Sequence, residues 1–245
     1  MELTYNKTKR TFVSVSDPNR TEDNNHTLFQ IQDYSNTCHR NVDPDWRCRN
    51  SMSIKICLGV PPDQKSVIAE LAFSTLGKYL DAFLRSKREV AALVSGSLRD
   101  DRLLVALKEG VVVGIAGLEH SGKSFIDIRF DEAARILGLK AYAIVVFRFI
   151  MIFNRALPSQ LHIQSLAVSE KERGKGTGSR LLESSIEYAR SRGFVQVKLE
   201  VTDANPRARQ LYRRMGFTET KVQTIPYPFS RLVGIGKVIE MIYKL

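Results

Sequence analysis

The chain has 245 residues, a formal net charge of +11 and 43% hydrophobic residues, which is enough for one substantial domain with or without a tail. Its three cysteines, Cys38, Cys48 and Cys57, are too few and too odd in number for a disulfide framework, and Cys38-His39 with Cys48 matches no strong zinc spacing, so no metal site is expected. The first twenty residues hold no apolar leader, no apolar run reaches the ~18–20 residues of a spanning helix, and a cytoplasmic setting is the expectation.

The charge is unevenly spread. Residues 1–52 carry seven basic and seven acidic side chains, whereas 53–245 carry 30 basic and 19 acidic ones. A basic folded domain points to an anionic ligand or partner, or to a solvated basic surface. Nucleic acid has only that net charge in its favour, since neither aromatic interleaving nor a reader motif is present.

Residues 1–52, rich in Asn, Asp, Thr, Ser and Arg without sustained periodicity, predict a polar, mostly disordered tail. The domain is expected over 53–245. Ile54, Ile56 and Leu58 alternate with Lys55 and Cys57, as in a strand. Pro61-Pro62-Asp63 opens a helix that continues through Val67, Ile68, Leu71, Ala72 and Leu76. Further helical stretches carry Tyr79, Leu80, Phe83 and Leu84, then 88–94. The apolar runs 103–107 and 111–118, split by Lys108-Glu109-Gly110, read as a hairpin, and 125–130 as a possible extension of the sheet.

Residues 131–157 form an apolar helical insert, broken by Lys140, Arg148 and Arg155. Buried core, greasy lid and interfacial helix all remain open for it. Then come a strand at 161–168, a glycine-rich loop, a helix over 178–192, a strand at 197–201, a helix over 206–215 that Gly216 stops, and a last strand at 238–243.

The densest chemistry lies in Val168-Ser169-Glu170-Lys171-Glu172-Arg173-Gly174-Lys175-Gly176-Thr177-Gly178-Ser179-Arg180. A strand feeds a glycine-rich loop and the loop feeds a helix, so successive amides and the helix N-terminus converge on a site suited to pyrophosphate. Gly174, Gly176 and Gly178 let the main chain approach, while Arg173, Lys175 and Arg180 add charge. A Walker loop at Gly122-Lys123-Ser124 is set aside for want of its first glycine, the position five before Lys123 being Leu118. So is a dinucleotide fingerprint, since Leu181 stands where its third glycine belongs.

Farther on come Glu200, Asn205, Ala208, Leu211-Tyr212 and Gly216-Phe217. Arg173-x-x-Gly176-x-Gly178 followed by this block resembles the GNAT N-acetyltransferase superfamily, closely over 161–217 and loosely before it. The resemblance implies an α/β (α+β) GNAT fold, with a mixed, mostly antiparallel central sheet splayed at the acetyl-CoA site and flanked by helices. It implies acetyl-CoA as donor and an amine as acceptor, either a small molecule or a protein. The main chain of Leu166, Ala167 and Val168 would pair with pantetheine, and one of their amides would hold the oxyanion. The amides of Arg173, Gly174, Lys175, Gly176, Thr177, Gly178 and Ser179 would hold pyrophosphate, and Asn205 would bond pantetheine. Tyr212 would be the general acid.

Glu200 is the candidate base, with Glu119 of Glu119-His120 as the other choice, because an ammonium must lose a proton before it can attack. Glu200 also alternates with Val197, Leu199 and Val201, so it fits the polar face of a strand. His162 reads as structural. The basic residues Arg207, Arg209, Arg213 and Arg214 suit a 3′-phosphate, an acidic partner or a solvated face. An alternative from another class is a catalytically idle module of this shape that binds acyl-CoA or a protein.

Overall fold

The computed structural model describes residues 49–50, 54–80, 94–128, 134–135, 157–227, 230–231 and 234–245. Of the tail expected over 1–52 it describes only Arg49 and Asn50, and of the insert over 131–157 only Ala134, Arg135 and Leu157. The helical stretches expected beyond Leu80 also lie outside the described residues, Val94 excepted.

One sheet carries the fold. Its strands are β1 (Arg49–Asn50), β2 (Lys55–Leu58), β3 (Leu103–Lys108), β4 (Val111–Glu119), β5 (Gln160–Val168), β6 (Gln196–Thr202), β7 (Thr218–Thr224) and β8 (Lys237–Lys244), in the spatial order 1-2-3-4-5-6-8-7. Every neighbouring pair is antiparallel except β5 and β6. The α-helices whose bounds are described are α1 (Lys65–Leu80), α2 (Thr177–Ser191) and α3 (Pro206–Arg214). A parallel pair cannot be joined by a tight turn, and α2 is the crossover that joins β5 to β6.

The two faces of the sheet are covered separately. On one, Leu181, Leu182, Ile186 and Ala189 of α2 pack on Leu104, Leu118, Leu161, Ile163, Val197 and Leu199. On the other, Ile68, Ala69 and Ala72 of α1 pack on Cys57, Val105, Ile115 and Ala167. Full burial of one Leu or Ile side chain stabilises by about 1.5–3 kcal/mol, so these layers hold the sheet rigid under the loops that follow it.

Two local readings change. Residues 125–130 supply no strand among those described, only a single bridge from Ile126 to Leu98. Phe125 instead turns inward, 3% exposed, against Gly117, where an added Cβ would lie 2.5 Å from its ring. The second change is β7, whose sequence Thr-Glu-Thr-Lys-Val-Gln-Thr shows no apolar alternation, yet it pairs with β8 at the sheet's edge.

The feature that shapes the site is where β5 and β6 part. Their register ends at Ile163 opposite Leu199. β5 continues to Val168 alongside β4, and β6 continues to Thr202 alongside β8. Between them a wedge opens, leaving backbone donors and acceptors of β5 without a strand on that side.

Candidate active site

The glycine-rich loop leaves β5 at the mouth of this wedge. A short 3-10 turn, Glu170–Glu172, is followed by Gly174 at φ +78° and by Gly176, which caps α2 at φ +84°. These left-handed conformations favour glycine, and a Cβ at either position would meet nothing within 4 Å, so the loop faces open space. No side chain caps α2, and the amides of its first turn have no intrahelical acceptor. They add to the positive end of the helix dipole. Thr177, 1% exposed, keeps a hydroxyl with no hydrogen-bond partner at the same place.

The loop is fixed from beneath. Glu172 is buried and accepts from Lys108 Nζ at 2.9 Å and Lys175 Nζ at 3.2 Å. The Lys108 hydrogen bond is the main reason its carboxyl lies below the ordinary range. Lys175 therefore offers its main chain to the loop while its ammonium serves the loop's own carboxylate. Arg173 Nε donates to Val168 O at 3.2 Å, closing the end of β5, and Arg173 Nη1 lies 3.4 Å from Glu170.

Tyr212 sits on α3 and Asn205 just before it, and α3 lies beside the start of α2, where a Cβ at Gly178 would be 3.6 Å from Leu211. Asn205 is the N-cap, its Oδ1 accepting from Ala208 N at 3.2 Å, with Pro206 in the first turn. Tyr212 is buried, its ring 6.1 Å from that of Phe217. Burial pushes its phenol up to about 12, so it stays protonated through neutral pH. Of the four arginines on or beside this helix, Arg209 and Arg213 are engaged with Glu219 of β7: Arg209 donates twice, at 2.7 and 2.8 Å, and Arg213 Nε once, at 2.9 Å. That pair locks α3 to the sheet edge.

The two candidate bases lie on one face of the sheet. Side chains alternate between faces along a strand. His162 stands opposite both Glu119 on β4 and Lys198 on β6, and Glu200 stands opposite Glu240 on β8. Glu119, His162 and Lys198 are each about 5–6% exposed. His162 Nδ1 meets Glu119 Oε2 at 2.9 Å, and Nε2 meets Glu200 Oε2 at 2.5 Å. Burial alone drives an imidazole toward its neutral form, but the bonds to Glu119 and Glu200 win and raise His162 above its ordinary value. Lys198 Nζ lies 3.3 Å from Glu200 Oε1 and 3.3 Å from Glu240 Oε2. Glu200 Oε1 is buried without a hydrogen bond. The 3.3 Å gap to Lys198 is an ion-pair distance and not a well-aligned bond.

Sequence reasoning paired Glu119 with His120, and the structure separates them. His120 turns to the opposite face, its Nε2 3.2 Å from Tyr188 Oη and its ring 5.4 Å from that of Phe194. Burial and then Arg102 lower it to about 4, so it is neutral at pH 7. The residue missed was His162. Its signal was Leu161-His162-Ile163 beside Val197-Lys198-Leu199-Glu200-Val201, two runs with ionisable groups at matching alternate positions.

A second motif needs correction. Gly117-Leu118-Glu119-His120-Ser121-Gly122-Lys123-Ser124 does carry the Walker spacing, Gly117 being the first glycine. The structure is what excludes a phosphate loop there. Gly117 lies within β4, residues 120–123 make a tight turn with a His120–Lys123 bridge, and residues 124–128 form no helix. A P-loop needs amides converging on a helix N-terminus.

A gap between parallel strands with an amide-lined loop at its mouth has the shape and polarity that an extended, phosphate-bearing ligand fits. The sequence profile described as Acetyltransferase (GNAT) family matches residues 78–217, more than half of the chain, and the chain belongs to that family. N-acetyltransferase 8B of Rattus norvegicus is 40% identical over 76 residues, 31% of this chain and 34% of the relative. Streptothricin acetyltransferase of Streptomyces lavendulae is 39% identical over 104 residues, 42% of this chain and 49% of the relative. These matches thus span between a third and a half of the relatives' length. Among solved structures, the polyamine N-acetyltransferase of Drosophila melanogaster aligns with a TM-score of 0.53 at 18% identity, over 78% of this chain and 100% of that one. An N-acetyltransferase of Staphylococcus aureus aligns at 0.52 and 19% identity, over 77% and 99%. At such identities the likeness shows the fold. No described helix is long and apolar enough to cross a membrane.

Proposed function

We propose that this chain is an acetyl-CoA-dependent N-acetyltransferase that acetylates a primary amine by direct attack, with Glu200 as base and Tyr212 as acid. The observation that carries the reading is the parting of β5 and β6 beyond Ile163 and Leu199, with the Arg173–Ser179 loop at its mouth. Leu166, Ala167 and Val168 would pair with the pantetheine arm as an added strand. Amides of Arg173, Gly174, Lys175, Gly176, Thr177, Gly178 and Ser179 would hold the pyrophosphate, and Asn205 the pantetheine. When bound, acetyl-CoA supplies an activated acetyl carbonyl and a thiolate leaving group.

The chain's own residues handle the protons. Glu200, with its carboxylate on the wedge side of β6, takes a proton from the acceptor's ammonium directly or through water. Tyr212, held near 12, is a weaker acid than a thiol of about 8.5. As acid it therefore shares its proton with the developing thiolate through a hydrogen bond in a dry pocket, where such a bond is strong. The acceptor is either a small-molecule amine or a protein amine, and the relatives carry names of different acceptors. A cytoplasmic setting belongs to this reading, and Cys57, the free cysteine among the described residues, is buried.

The test mixes wild type and Tyr212→Phe with acetyl-CoA and a panel of peptides, polyamines, aminoglycosides and amino acids, following free thiol. Release with selected amines, slowed by ~10²–10⁴ in Tyr212→Phe, supports the enzyme. Saturable acetyl-CoA binding with no turnover on any amine supports the idle binding module instead.

A further inference from the structure

Glu119 and Glu200 present themselves as rival bases, but the structure joins them through one ring. We infer that Glu119, His162 and Glu200 take up the acceptor's proton as a single unit, with His162 and Glu119 as positioning residues that act through Glu200. This rests on the N-acetyltransferase reading and deepens it.

Each ring nitrogen of His162 faces one carboxylate oxygen, at 2.9 Å on the Glu119 side and 2.5 Å on the Glu200 side. All three side chains are largely shielded from water, at 6, 7 and 18% exposure for His162, Glu119 and Glu200. Two carboxylates facing one ring in a dry setting favour positive charge on it, and their hydrogen bonds raise His162 against the opposing pull of burial. Glu200 alone is a poor base here, because Lys198 lies 3.3 Å from its Oε1 and His162 holds its Oε2. Both cations draw on the negative charge of the same carboxylate.

Glu119 offsets that. Its negative charge, delivered across the ring, returns basicity to the far end. Gln164 Nε2 donates to the same Glu119 Oε2 at 2.7 Å, and Ser124 Oγ donates to Gln164, so Glu119 is anchored from the surface. Other charges near the ring are accounted for. On β6 Lys198 is the register partner of His162, and Glu240 follows it on β8. α1, packed on the same face, presents Ile68, Ala69 and Ala72, with Lys65 and Glu70 exposed.

The proton balance is simple. An N–H bond of the acceptor ammonium breaks, its electron pair stays on nitrogen for attack, and the proton joins the unit, whose charge goes from −1 to 0. It leaves to solvent after each turnover, since acetylation of an ammonium releases one proton overall.

Two measurements test the inference. First, ¹⁵N NMR of the histidine rings in the full-length protein is followed against pH. The His162 signals are identified by their loss in His162→Gln or, should that variant not fold, by their shift in Glu119→Gln. The inference expects both ring nitrogens protonated at pH 7.5. A neutral ring with one protonated nitrogen overturns it.

Second, kcat/KM against pH is measured with the fastest amine of the panel above for Glu119→Gln, Glu200→Gln and the double variant. Glu200→Gln should lose ~10²–10⁴ in rate and Glu119→Gln about tenfold, with little further loss in the double variant. His162→Gln should move the acid limb to higher pH, because a buried Glu200 deprived of its neighbouring cation is harder to ionise. An unmoved limb, a Glu119→Gln rate within about twofold of wild type, or additive losses overturn the coupling. No thiol release from wild type with any amine, while the ring remains an imidazolium, sinks the enzyme reading itself and leaves the charge coupling standing as structure alone.

Discussion

The two faces of the sheet are built from the same strands, yet around His162 they differ in kind. Toward α2 stand Leu118, Leu161, Ile163, Val197, Leu199, Val201, Ile239 and Met241, all buried and apolar. Toward the other side stand Glu119, His162, Lys198, Glu200 and Glu240, five ionisable groups within one register. Apolar burial stabilises wherever it occurs, whereas buried charge costs free energy unless each group is paired. The first face therefore explains why the protein folds. The second is expensive and is satisfied because each carboxylate lies against a cation, Glu119 and Glu200 on His162 and Glu200 and Glu240 on Lys198, and it is the face that carries the proposed proton transfer.

Neighbours on β6 test that contrast at the greatest effect. Lys198→Met removes the cation between Glu200 and Glu240 and should cost up to about 3–5 kcal/mol, the penalty for stranding buried charge. Leu199→Ala should cost about 2–5 kcal/mol through lost transfer energy and a cavity. Urea titrations at several pH values separate the two causes. Burial pushes the Glu240 carboxyl up, but Thr220 and Lys198 outweigh it and leave it lowered in the fold. A lowered carboxyl contributes stability above its unfolded pKa of about 4.5 and loses it as pH falls through the folded value. The Lys198→Met deficit should accordingly shrink in acid while the Leu199→Ala deficit stays level. A pH-flat deficit in both would break the comparison.

A middle-sized effect is expected where the apolar packing meets the start of the charged run. Gly117→Ala places a methyl 2.5 Å from the Phe125 ring, and overpacking of this kind costs about 1–3 kcal/mol. Phe125→Leu in the same chain should recover part of it, which a thermal melt of the single and double variants would show.

Much of this was legible beforehand because strand and helix periods are local. The hairpin, β5, α2, β6, α3 and β8 all lie within a residue or two of where their alternation, caps and glycines place them. The loop was legible because positive φ and close amides demand glycine. Three things were not. β7 carries threonine, glutamate and lysine at an edge where one row of backbone groups finds β8 and side chains face water, so no apolar pattern announces it. His162 looked structural because its partners, Glu119 and Glu200, lie on other strands and only the register brings them together. The Walker spacing at Gly117–Ser124 shows the converse. A match in residues means nothing without the strand–loop–helix context that gives it amides.

The smaller effects lie on α3, which carries Tyr212 and is held by polar contacts at both ends. Asn205→Ala removes its N-cap and should cost about 1 kcal/mol of stability, read by thermal melting, with the larger consequence falling on the acetyl-CoA Kd if its amide also meets pantetheine.

At the other end Glu219 should make the docking of α3 sensitive to acid. Arg209's hydrogen bond is the main cause that brings this carboxyl from 4.5 down to about 2 in the fold; burial pushes the other way, and Arg213's hydrogen bond adds to the lowering. The sign follows from linkage: the stabilisation is complete above about 4.5 and drains away as pH falls toward 2. Glu219→Gln should match wild type more closely the lower the pH, and differ most at neutral pH. Because the arginines are partly exposed, salt should narrow the difference as well. Hydrogen exchange on α3 would report it locally: faster exchange of α3 amides in Glu219→Gln at pH 7, with β6 amides unchanged, would place the loss at the helix's docking. Equal acceleration in β6 would instead mean that the polar edge and the charged face form one cooperative unit, and the division between a stabilising face and a chemical one would have to be redrawn to include α3.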